Sequence, residues 1–89
     1  MPPIASISTP TIHLNGTARA DLEAQNRHAV RVLEAALGAL RQAAPHPRDY
    51  YPQGAAAFKP ALDQHLARLA RIQDTINELN HIRRVICDA

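Results

Sequence analysis

The sequence predicts an all-α protein: two long helices folded back as an antiparallel hairpin, preceded by an extended N-terminal arm and assembled into a homo-oligomeric helical bundle. Three observations point there. Seventeen alanines stand against three aromatic residues and no tryptophan in 89 residues, so close packing through Ala and Leu replaces a bulky aromatic core. Two stretches, 18–44 and 55–87, repeat apolar residues at spacings of three and four, the period of one helix face. Between them, Pro45, Pro47, Pro52 and Gly54 fall close together, a composition that ends one helix and turns the chain.

Residues 1–17 carry Pro2, Pro3, Pro10 and Gly16 among Ser, Thr and β-branched residues, with no helical period; this is the arm. Ile12 and Leu14 alternate with Thr11 and His13, the pattern of a very short strand or a docked apolar peg. Asn15 and Gly16 read as a turn that delivers Thr17 as the cap of the first helix, and Asp21 suits that helix's positive end. The first helix, 18–44, spans about 40 Å. Leu22, Ala29, Leu33, Ala36, Leu40 and Ala43 form its buried face, with Val30 and Leu37 widening it and Gly38 suited to close helix contact.

The loop, 45–54, places Tyr50 and Tyr51 side by side; their expected role is to cover the bundle end, with stacking on a planar ligand as the alternative. The second helix, 55–87, begins at Ala55, or at Pro60 if its first turn is irregular; an earlier start predicts a bend at Pro60. Its seam is regular: Phe58, Leu62, His65, Leu69, Ile72, Ile76, Leu79, Arg83 and Ile86 alternate spacings of four and three, as coiled-coil core positions do. A single seam is thin cover for two helices this long, because ordering each residue costs more than a narrow stripe returns. Val30, Leu37, Leu66 and Ile82 offer spare apolar flank, so association of copies is expected, a dimeric four-helix bundle being the simplest form. The arm, packing Ile4, Ile7, Ile12 and Leu14 across the helices, is the alternative cover.

Ten basic and eight acidic residues give a formal charge of +2, interspersed, with no basic run longer than Arg83–Arg84; a nucleic-acid partner is not expected. No apolar run reaches the roughly 18–20 residues of a membrane span, and the first ten residues lack a secretory pattern, so a cytoplasmic location and no membrane partner are expected. A single cysteine, Cys87, excludes an internal disulfide and any Cys-rich zinc module. His28, His46 and His81 stand apart from other metal-ligating residues, and no metal or cofactor is expected. No nucleophile–base arrangement, paired-carboxylate site or phosphate-cradling glycine loop is present, which argues against an enzyme. His65, on the seam, reads as a neutral core histidine with one hydrogen bond to the neighbouring helix, a ligand contact being the alternative.

Two candidate binding clusters remain. His13, Asn15, Thr17 and Arg19 gather at the start of the first helix, where an antiparallel partner returns His81, Arg83 and Arg84; unpaired N–H groups and arginines there favour an anion. At the opposite pole lie Arg48, Tyr50, Tyr51 and Gln53 beside the start of the second helix, a stacking surface with an anion-friendly helix end. Against both stands the plainer reading that Thr17 caps, Asn15 turns and the arginines are solvated.

The segments Thr11-Ile12-His13-Leu14-Asn15-Gly16-Thr17 and Arg48-Asp49-Tyr50-Tyr51-Pro52-Gln53-Gly54 resemble small proteins encoded by bacteriophages and prophages. That group often has serine after the threonine where this chain has Ala18, and Pro60 is atypical of it. The resemblance implies a non-enzymatic protein acting in the cytoplasm of an infected bacterium. One expectation is a homo-oligomeric sponge that sequesters an anionic nucleotide-derived immune signal, such as a cyclic nucleotide or an ADP-ribose-type ligand. The other is a protein–protein module that blocks a host defence protein or serves phage assembly.

Overall fold

A computed structural model describes residues 3–89 and resolves the two long apolar-periodic stretches into helices, α1 (Arg19–Gln42) and α2 (Phe58–Asp88). Short 3-10 turns cover Ile4–Ser6, Pro47–Asp49 and Tyr51–Gln53, and no strand forms among the described residues. At 1.5 Å rise per residue, the 31 residues of α2 run about 46 Å, most of the molecule's 62 Å long axis. No helix among the described residues is long and apolar enough to cross a membrane.

Each helix ends one to three residues inside the stretch its sequence suggested, apart from the last residue of α2. Pro45 and Pro47 follow directly after α1, which stops at Gln42 rather than Ala44. Residues 55–57 form a turn, so α2 begins at Phe58 and Pro60 lies in its first turn. There the missing N–H has no helical acceptor to lose, and the expected bend is unnecessary. The cap of α1 is Ala18, which supplies no side-chain hydrogen bond, instead of Thr17. Ala18 takes the extended cap conformation, and its carbonyl accepts from the N–H groups of Asp21 and Leu22.

The seam of α2 is the one its spacing predicts, with Ile76 buried and Leu69, Ile72 and Leu79 partly buried against the core. On α1 the buried face is rotated by one residue. Val30 and Leu37, which the sequence reading set at the edge, are the core, with Leu33 beside them. Ala36 and Ala43 are exposed, and Ala29 only half-buried. The choice follows from area: two stripes one residue apart compete on α1, and the one with the larger side chains removes more apolar surface from water. Glu23, Asn26, Val30, Leu33, Leu37 and Leu40 then complete a spacing of three and four along the buried side. Gly38 is not a point of close contact, since a Cβ there meets nothing within 4 Å.

Contacts at the far end tie the start of α1 to the end of α2. Glu23 pairs with Arg83 at 3.0 Å, and the Arg19 guanidinium donates to the main-chain oxygen of Ala89. Ile86, at 0% exposure, is sealed there, away from the central cluster. Asp74, Glu78, His81, Ile82 and Val85 are half-buried too, although they extend beyond the seam. In the arm, Ile4, Ile7 and Ile12 are half-buried, whereas Leu14 is 98% exposed and does not act as a peg. Of the four residues read as spare flank, Val30 and Leu37 are buried and Ile82 is half-buried; Leu66 stays 52% exposed.

The rotated seam is open to a direct check by urea denaturation. Leu37→Ala should cost about 2–4 kcal/mol, as large-to-small core changes do. Ala36→Ser should stay within about 0.5–1 kcal/mol, and Gly38→Ala should raise stability by up to about 1 kcal/mol.

Candidate functional site

The turn between the helices builds the strongest candidate site. Pro47 and Pro52 set the backbone for two successive 3-10 turns, and the chain satisfies its own polar groups as it goes round. The His46 imidazole Nδ1 accepts from the Arg48 N–H at 3.1 Å. The N–H groups of Tyr50, Gln53 and Gly54 donate to Pro47, Tyr50 and Tyr51 carbonyls at 2.9–3.0 Å. Gly54 then takes φ 118°, a region that a side chain rarely enters, and lets the chain swing into α2. Tyr50 is half-buried, its ring set edge-on to Phe58 at 6.3 Å between centroids.

Behind this turn lies a cavity of about 340 Å³. The loop contributes Tyr50 and Gln53, and α2 contributes Gln64, His65 and Arg68; Ala43, Pro45, Ala57, Pro60 and Ala61 form the rest of the wall. That wall holds one fixed positive charge, Arg68, and no carboxylate. His65 is 5% exposed, and its Nε2 has no hydrogen-bond partner among the described residues. The hydrogen bond to the neighbouring helix that the sequence reading gave this histidine is therefore not made. A buried ring nitrogen without a partner costs about 1–3 kcal/mol, and this one is itself sealed from solvent, so it does not open into the cavity.

Of the residues nominated from the sequence at this pole, Tyr50 and Gln53 line the cavity. Arg48 and Tyr51 do not, and Tyr51 lies mostly in solvent. Gln64 and Arg68 went unnoticed. The signal for them was present in the spacing, because residues 64, 65 and 68 share one side of α2 by the i, i+4 rule. What the sequence withheld was the return of the loop over that side.

At the other pole the ends of the two helices meet, but the nominated residues do not share a cavity. His13, Asn15, Thr17 and Arg19 are exposed. The hollow there, about 340 Å³, is lined by Asn80, Arg83, Arg84, Cys87 and Asp88, all from α2. Arg83 is engaged: it donates to Asn80 at 3.1 Å and pairs with Glu23, which also holds Arg27 at 3.1 Å. Arg84 is exposed. Among the described residues no three His, Cys, Asp or Glu groups gather as metal ligands.

No protein-family model, no curated protein and no solved structure matches the chain.

The Glu23–Arg83 pair bridges the helices with both side chains mostly covered, whereas Lys59–Asp63 is an exposed pair within α2. Glu23→Ala should therefore lower unfolding free energy by about 1–3 kcal/mol, because it leaves the Arg83 charge partly buried and unpaired. Asp63→Ala should change it by less than about 0.5 kcal/mol in the same urea titration.

Proposed function

We propose that the protein is a non-catalytic binding protein that captures a small anionic ligand of the nucleotide class in the turn-end cavity. The observation that carries this reading is a cavity wall whose single fixed charge is Arg68, with no carboxylate to oppose it. A cavity of about 340 Å³ falls at the small end of the usual ligand range of about 300–1,000 Å³. Tyr50 and the flanking prolines supply flat apolar surface, Gln53 and Gln64 supply donors and acceptors, and Arg68 supplies the counter-charge. A nucleophile with an adjacent base is not part of this wall, so the reading is capture rather than turnover.

In this reading the helices run antiparallel, which the Glu23–Arg83 and Arg19–Ala89 contacts support. Copies associate through what apolar surface is left: Leu66 at 52%, Val32 at 53% and Leu14 exposure support that step. The likeness of the two segments at 11–17 and 48–54 to phage and prophage proteins supports a setting in the cytoplasm of an infected bacterium, where capture of a nucleotide-derived immune signal serves the phage. The same exposed apolar side chains favour a second reading, a module that grips a host protein.

A thermal-shift titration with cyclic nucleotides and ADP-ribose derivatives tests the first reading. A ligand at 100 times its Kd adds about 2.7 kcal/mol, and each kcal/mol raises Tm by about 4–8 °C in a domain this small. A saturable rise is the expected result. No rise with any of these compounds overturns ligand capture and favours the host-protein module. Sedimentation velocity should show an oligomer that Leu66→Ser weakens; a monomer at high concentration removes self-association.

A further inference from the structure

Resting on the association step of that reading and not on capture, we infer that one broad face of the hairpin is a two-fold interface with a second copy of this chain. In it α1 packs antiparallel on the α1 of the other copy, and Glu34 of each copy pairs with Arg41 of the other.

The groove between the helices defines the face. It holds about 320 Å³, with Leu37 and Ile76 as its floor and Glu34, Arg41, Gln73 and Asn80 as its rims. Leu37 and Ile76 are buried, so a second molecule meets the rims and not the floor. Glu34 and Arg41 are exposed, and neither enters an ion pair among the described residues. They stand seven residues apart on α1, two turns, which leaves them on one side of the helix with about 10 Å of rise between them.

This charge order is self-complementary. A two-fold axis midway between the two residues brings Glu34 onto the other copy's Arg41 and Arg41 onto its Glu34, so both pairs form at once. A parallel arrangement in register sets Glu34 against Glu34 and Arg41 against Arg41. The midpoint falls beside Gly38, where a Cβ meets nothing within 4 Å in this chain; the absent side chain leaves two backbones room to approach. On α2, Leu66 lies seven residues before Gln73 on the same side and is 52% exposed. It supplies apolar area, while exposed ion pairs set register and contribute little affinity. The molecule is 62 by 23 Å in its two longer dimensions, room for the roughly 800 Å² per partner that a stable interface takes.

This packing leaves the turn-end cavity open. Gln64 and Arg68 lie two residues to either side of Leu66, and residues two apart on a helix do not share a side, so groove and cavity open on opposite sides of α2.

Sedimentation velocity of the full chain, from micromolar to near-millimolar concentration, reads the interface through charge exchange. The unaltered chain should dimerise. Glu34→Arg and Arg41→Glu should each weaken the dimer by about tenfold or more, because each sets two like-charge pairs against one another. The double variant should return to within about threefold of the unaltered chain, and an equimolar mixture of the two single variants should form a mixed dimer more tightly than either forms its own. Gly38→Leu should abolish association, while urea unfolding at concentrations below association shows a fold at least as stable, since glycine is the poorer helix former.

A monomer at every concentration, single exchanges without effect, a double variant no tighter than the singles, or a Gly38→Leu chain that still associates overturns this interface. None of these outcomes bears on capture, which the thermal-shift titration reads by itself, because the cavity lies on the other side of α2.

Discussion

The apolar seam between α1 and α2 fixes where every other group in this protein can stand. Val30, Leu33 and Leu37 on one helix meet Leu69, Ile72, Ile76 and Leu79 on the other. With so little area to bury, the helices have one register that covers it, and a shift by one residue would exchange leucine and valine for alanine. Register sets the poles. It brings Glu23 to Arg83 at one end, and at the other it sets Ala43 at the edge of the cavity that Ala61, His65 and Arg68 also line.

Polar residues interrupt this seam near its ends, and each interruption is resolved differently. Asn26 returns its amide to the Leu22 carbonyl at 2.8 Å, so it satisfies itself within its own helix. Glu23 and Arg83 satisfy each other across the helices, at the cost of the desolvated Arg83 Nε, which has no acceptor among the described residues. His65 Nε2 finds no partner among the described residues. Energetic economy would place an apolar residue there, since replacing an unpaired buried polar group by an apolar one of similar shape is often stabilising.

Partial cover of the flanks changes the balance between folding and association. Ile4, Ile7 and Ile12 are half-buried, as are Asp74, Glu78, His81, Ile82 and Val85. The apolar surface left for a partner is smaller than the periodicity alone suggests. It consists of separate side chains, Leu14, Val32 and Leu66, rather than a continuous face. Self-association, if it completes the function, therefore works with modest area, whereas the cavity belongs to a single chain.

The sequence by itself determined the two helices, the turn between them and the whole seam of α2, because large β-branched and leucine side chains at spacings of three and four admit one buried face. It did not determine the seam of α1, where alanine and leucine stripes lie side by side and only the partner's bulk decides between them. Ala18 in place of Thr17 as the cap, and Pro60 inside the first turn, were likewise settled by backbone geometry that residue types leave open. Tyr50 and Gln53 were legible as candidate residues, and both line the cavity, because a proline-bounded pair of tyrosines stands out in a chain so poor in aromatics. Gln64, His65 and Arg68 came to line a cavity only through tertiary structure: a cavity is a relation between a loop and a helix face, and one-dimensional spacing records the face alone.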